Sequence, residues 1–315
     1  MKHKVGTCAL FVSIVVGVAS QCAQAANLSV NCDRDGRINK AVRLLAVTNP
    51  QGPNSITVTG ACQENIVIQS MDRLTLITKN GAAIADASSG SKDVIDILDS
   101  QRITIKGFTI NGGLFGILCS SGSLCRFSGN TIEGGAAGLL IEHSRAESTG
   151  NIMQNLNEGL VVRQGADVLS TGNTMQGNVD TGILVNAGGS LYGVGAIVRN
   201  NVDGVQVRNH STLRMTGSAI TGNGGVGVLL LEASGVFFDT GNDITGNLLS
   251  GVNVNDLSFA QFQLPDNKVV GNTGQPDVVC NPQFSGTRGA LTNIGGGTTN
   301  CVEPARSSPR EAMSP

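Results

Sequence analysis

Gly116-Ile-Leu-Cys, Gly138-Leu-Leu-Ile, Gly159-Leu-Val-Val, Gly182-Ile-Leu-Val, Gly204-Val-Gln-Val, Gly227-Val-Leu-Leu and Gly251-Val-Asn-Val are one phrase written seven times, at intervals of 22, 21, 23, 22, 23 and 24 residues. Each is strand-like and none carries helical spacing, so a period near 22 makes every unit one turn of a solenoid stacked on the next. A second mark keeps step with the first: Gly129-Asn130, Gly150-Asn151, Gly172-Asn173 and Gly241-Asn242, with Gly107, Gly195 and Gly217 at the same place in the other units. A third, looser mark follows, as in Asn111-Gly112, Gly177-Asn178, Gly222-Asn223, Gly246-Asn247 and Gly271-Asn272. Glycine and asparagine tolerate the left-handed backbone of a sharp corner, so three marks per unit predict three short strands joined by three turns.

A triangular coil of this length resembles the right-handed parallel β-helix repeat of the pectin-lyase-like superfamily, over roughly residues 56 to 280. That superfamily includes pectate lyases, polygalacturonases, mannuronan C5-epimerases, phage tailspikes and accessory proteins of nitrous oxide reductase. The resemblance implies an all-β fold, but one scaffold hosts lyases, hydrolases, epimerases and binding proteins, so it implies no single activity.

Lys2, His3 and Lys4 precede an apolar run from Val5 to Val18, and Ala23-Gln24-Ala25 offers a cleavage site. Residues 1–25 are therefore expected to be a signal peptide on an exported protein, periplasmic or secreted, and no later segment is apolar enough to span a bilayer. Six cysteines follow: Cys32, Cys62, Cys119, Cys125, Cys280 and Cys301. An even count in an exported chain favours disulfides, and sequence order pairs them as neighbours, one of fifteen connectivities. No Cys-x-x-Cys or nearby His-Cys grouping suggests a metal, and the sequence implies no cofactor. Asp33-Arg-Asp35-Gly36 opens like a calcium loop but lacks the twelfth-position carboxylate. It reads better as a cap for a helix with Ile38, Ala41, Val42 and Leu45 on one face, covering the open end of the first coil. The expected order is a cap over 26–55, the β-helix over 56–280, a stapled cap over 281–301 and a disordered tail over 302–315.

A net charge of −2 argues against nucleic acid and anionic membranes as partners. With no Trp, one Tyr and nine Phe, the chain is poor in the rings that grip sugars and bases.

In a stacked helix, equivalent positions of successive coils are neighbours, so chemistry is sought in columns. After the repeated Gly, the first and third residues face inward and the second and fourth outward. The second column contains Leu118, Leu140, Val161 and Leu184, an apolar outer strip expected to be covered by a loop, the C-terminal segment or a second copy, or else to floor a ligand groove. The fourth contains Glu142, Arg163, Asn186 and Arg208, with His143 beside Glu142. Proton abstraction from a uronic acid needs a cation for the carboxylate, a base and an acid, roles that Arg163 or Arg208, His143 and Glu142 suit; an exposed ion pair is the simpler reading. The aspartate clusters of pectate lyases and polygalacturonases and the Asp-Pro-His-Asp run of mannuronan epimerases have no counterpart, Glu142-His143-Ser144 being the nearest match to the last. The leading expectation is therefore a non-catalytic exported protein binding a polysaccharide or an envelope protein along its outer face. A uronate lyase or epimerase and a periplasmic assembly scaffold are the rivals.

Overall fold

The computed structural model describes residues 25–264, 266–281, 286–288 and 294–301. The leader expected over residues 1–25, all but its last residue, and the tail expected over 302–315 lie outside the described residues. The chain winds as a right-handed parallel β-helix with three sheets. Sheet A has twelve strands, from Ala26–Asn31 to Gly286–Arg288; sheets B and C have ten each, from Ala61–Gln63 to Lys268–Val270 and from Ile66–Gln69 to Val278–Cys280. One coil runs through Leu124–Ser128 in sheet A, Thr131–Glu133 in sheet B and Ala137–Glu142 in sheet C. The repeated phrase is thus the sheet C strand, and its partners in the next coil are the equivalent residues, Leu139 on Leu160 and Ile141 on Val162.

Inward side chains of all three sheets make one continuous core, with Leu139, Ile141, Leu160, Val162 and Val185 fully buried. The corner glycines have the left-handed conformation, φ +63° at Gly129 and +59° at Gly172. Each corner is held by a column of polar side chains that accept from the backbone of the neighbouring coil. Between sheets A and B, Asn130, Asn151 and Asn173 are linked, the Asn151 side chain accepting from the Asn130 backbone and amide at 2.9 Å. Between B and C runs a longer ladder, Asn178, Asn201, Asn223, Asn247 and Asn272, closed by Asp277. Between C and A, serines do the same: Ser100, Ser123 and Ser144, then Ser234 and Ser258. A paired buried amide contributes about 1 kcal/mol net, and an unpaired one costs more, so these columns fix the coil register.

The helix Ile38–Thr48 covers the first coil with Ile38, Ala41, Val42 and Leu45 buried, as its pattern predicts. Its cap is not the expected local one. The Glu64 carboxylate, 26 residues away, accepts from the backbone of Ile38 at 2.7 Å and Asn39 at 3.1 Å, whereas Asp33 accepts from Ala61. The first strand of sheet A also begins at Ala26, inside the span expected to be cap, because Ala26–Asn31 pairs with Asn54–Thr59. Disulfides join Cys32 to Cys62, Cys119 to Cys125 and Cys280 to Cys301, matching the pairing in sequence order. The outer two tie the end segments to their coils, and the middle one crosses the C-to-A corner inside the core.

Candidate functional site

The outward face of sheet C carries the expected columns. Strand register places Val67, Asp96, Leu118, Leu140, Val161, Leu184 and Gln206 in one line, and Glu142, Arg163 and Asn186 in the next. The apolar strip is not an open floor: Leu140, Val161 and Leu184 are only 1 %, 2 % and 5 % exposed, forming a small second core outside the coil with Ala137, Phe115 and Leu118. These side chains pack on one another, and the polar groups around them are what the face presents.

Arg163 donates to Glu142 Oε2 from Nε at 2.8 Å and from Nη2 at 2.7 Å, a two-pronged pair spanning adjacent coils. Asn186 Oδ1 accepts from the Asn209 side chain and the Ala187 backbone, so its amide oxygen is engaged. Arg208 continues the line; its Nε is buried without a hydrogen-bond partner, and its charge reaches Glu158 on the far side of the strip. His143 sits on an exposed left-handed corner, φ +47°, beside Glu142.

Three further acids stand on or beside this face, and their surroundings raise the pKa of each. Burial raises the Asp96 pKa to about 6, helped by the charges of Asp93 and Glu142. Asp93 is raised by burial and by Glu142, against a hydrogen bond from the Phe115 backbone. Glu158 is raised by burial and by Asp180, while Arg208 and Arg163 pull it down. Asp96 Oδ1 is buried with no hydrogen-bond donor. Asp93 and Asp96 open into a cleft of about 430 Å³ between the N-terminal helix and the first rungs of sheet C, lined also by Asn39, Arg43, Asn65 and Lys92. One signal was available: Asp96 lies 22 residues before Leu118, one period down the same column.

Glu142→Ala, His143→Ala and Arg163→Ala remove outward groups, so each is expected to lower Tm by no more than about 3 °C. A larger loss in thermal melts followed by circular dichroism would mean that the face is assigned to the wrong side of the sheet.

Among solved structures, the chain is similar to the Azotobacter vinelandii mannuronan C-5 epimerase AlgE6 A-module, with a TM-score of 0.64 and 13% identity, covering 86% of this chain and 91% of that one. It is similar to pectate lyase Pel9A at TM-score 0.56 and 12% identity, over 90% and 82%. It is similar to the bacteriophage CBA120 tailspike protein 2 at 0.54 and 13%, over 86% and 45%. At such identities these likenesses establish the fold alone. No curated protein sequence matches significantly. The model of the family described as "Periplasmic copper-binding protein (NosD)" matches residues 63–268, which include the whole sheet C face from Asp93 to Arg208. The chain therefore belongs to the NosD family of β-helix proteins.

Proposed function

We propose that this is an exported, periplasmic protein that binds an acidic polysaccharide along the outward face of sheet C. The observation that carries the reading is the buried, donorless Asp96 Oδ1 in a cleft that is also lined by Arg43 and Lys92. A sugar hydroxyl supplies the missing donor, and Arg43, Lys92, Arg163 and Arg208 match the carboxylates of a uronate chain. The elongated face suits a polymer, and the disulfides suit an oxidising compartment.

The family description raises copper, and the donor chemistry is the test. Copper favours thiolate, thioether and imidazole ligands. The described cysteines are in disulfides, while Met71, Met153, Met175 and Met215 are at most 2 % exposed in the core. His143 and His210 lie on corners of different coils. Cys32, Cys62 and Glu64 hold donor atoms within 4.8 Å of one another, but the sulfurs bond each other and Glu64 caps the helix. The described residues do not fit copper, and no step is routed through it.

A second reading is uronate lyase or epimerase action, favoured by Asp96: a carboxyl titrating at about 6 is poised to give or take a proton near neutral pH, and Arg43 and Lys92 line the same cleft.

Calorimetric titration with mannuronate, galacturonate and hyaluronate oligomers tests binding. Asp96 and Asp93 are protonated at low pH and repel an anionic ligand when ionised, so affinity is expected to fall as pH rises through about 6. Asp96→Asn flattens that dependence, and Arg163→Ala weakens binding about tenfold, equivalent to about 1.4 kcal/mol. Absorbance of the unsaturated uronate in the same mixtures separates lyase action from binding. No heat with any of the three oligomers at pH 5 would defeat the reading.

A further inference from the structure

Three of the chain's rings, Tyr192, Phe237 and Phe259, lie together on a different face. In sheet A, Leu169, Tyr192, Arg214 and Phe237 occupy one outward column in four successive rungs. Leu169 is 42 % and Tyr192 39 % exposed. The Arg214 guanidinium carbon lies over the Tyr192 ring, 5.6 Å from its centre, so the cation covers one face of the ring. Arg214 Nε donates to Asp239 Oδ2 at 2.6 Å, and Thr216 donates to the same oxygen. Phe259 leans over Gly235, where any Cβ would strike its ring, and meets Phe237 edge-on at 5.3 Å between centroids. The bare glycine makes room for that second ring. The strip is bounded by the Arg126–Glu147 pair in its own column at one end and by Gln261 at the other.

We propose that this strip is a second binding site, for a neutral pyranose chain lying along the rod axis. Successive rungs are about 4.8 Å apart, so the four groups span roughly 14 Å, and an extended β-1,4-linked chain advances by a similar step per sugar. Flat C–H faces of pyranoses pack along the outward Leu169, Tyr192 and Phe237 side chains, with the Arg214 guanidinium between the two rings. Asp239 is 8 % exposed, and its Oδ1 is buried with no hydrogen-bond donor beside the strip. A ring hydroxyl is the donor that this oxygen lacks. Because Asp239 neutralises Arg214, the strip offers no net positive charge to a uronate or a phosphate, which separates its ligand from that of sheet C. The inference does not rest on the sheet C reading.

Tyr192 is the only tyrosine in a chain without tryptophan, so intrinsic fluorescence reports on this strip alone. Titration of the full exported chain with cellohexaose and with β-1,4-mannohexaose is expected to give a saturable change with at least one of them. Phe237→Ala, which keeps the reporter, weakens that affinity about tenfold, and Arg163→Ala on sheet C leaves it unchanged. If Phe237→Ala loses its circular dichroism, Leu169→Ala at the other end of the strip serves the same purpose. Absence of a saturable change with both hexasaccharides, or a change that survives the strip substitution, overturns the proposal. A response only to mannuronate hexamer that disappears in Arg163→Ala also overturns it, while leaving the sheet C reading intact.

Discussion

Val185→Asp is expected to unfold the coils around it, lowering Tm by more than about 10 °C. Val185 is fully buried in the sheet C strand Thr181–Asn186, between Val162 of one coil and Val207 of the next. A carboxyl there meets only aliphatic neighbours. Its ionised form is intolerable, and its neutral form still lacks partners, at a cost of several kcal/mol against a total stability of about 5–15 kcal/mol. Each coil of a solenoid is held mainly by its two neighbours, so the damage opens a local segment before the whole rod. Limited proteolysis should therefore cut near this coil at temperatures where circular dichroism still shows most of the β-signal. Asn186→Asp is the control. It places the same charge one residue on, facing outward, and should change Tm by about 2 °C or less. If the two variants melt alike, the inward and outward assignment of the repeated strand is wrong, and with it every column on this face.

That assignment was legible because alternation and repetition reinforce each other: one strand of four residues is ambiguous, but seven in register are not. The coil corners were legible for the same reason where a Gly-Asn pair marked them. The B-to-C ladder was harder to see, since Asn201 follows Asn200 with no glycine and so carries no mark, although it accepts from the side chain of Asn178 and donates to that of Asn223. The helix cap was invisible locally, because Glu64 reaches Ile38 and Asn39 through the fold. The site shows the same limit. Glu142 beside Arg163 follows from the period alone, but the raised pKa of Asp96 depends on burial and on charges from other coils, which no window of sequence contains. Composition misled in one respect: scarcity of aromatics says nothing about where the remaining ones are placed, and the fold sets Tyr192, Phe237 and Phe259 together.

Gly204→Ala is expected to cost about 3 kcal/mol or more, whereas Gly172→Ala costs about 1 kcal/mol. The two glycines are present for different physical reasons. Gly172 turns a corner at φ +59° with open space where a Cβ would stand, so alanine there meets only backbone strain. Gly204 opens the repeated strand without a positive φ; its difficulty is room. A Cβ there would lie 2.4 Å from the Gly227 carbonyl oxygen, 2.7 Å from Ile220 Cγ2 and 2.9 Å from the Asn223 amide nitrogen. The same collision recurs up the rod, with Gly159 against the carbonyl of Gly182 at 2.5 Å and Gly182 against that of Gly204 at 2.7 Å. The carbonyl belongs to the next rung and accepts from Val205 at 2.9 Å, so it cannot retreat without opening the sheet. The Asn223 amide is committed to the ladder, donating to Asn247. Alanine at 204 therefore disturbs rung spacing, core and ladder together, which explains why the phrase keeps its glycine in seven units whose other residues vary. Equilibrium denaturation of the two variants decides the point. A Gly172 variant less stable than the Gly204 variant would mean that conformational freedom, not close approach, is what the repeated glycine supplies.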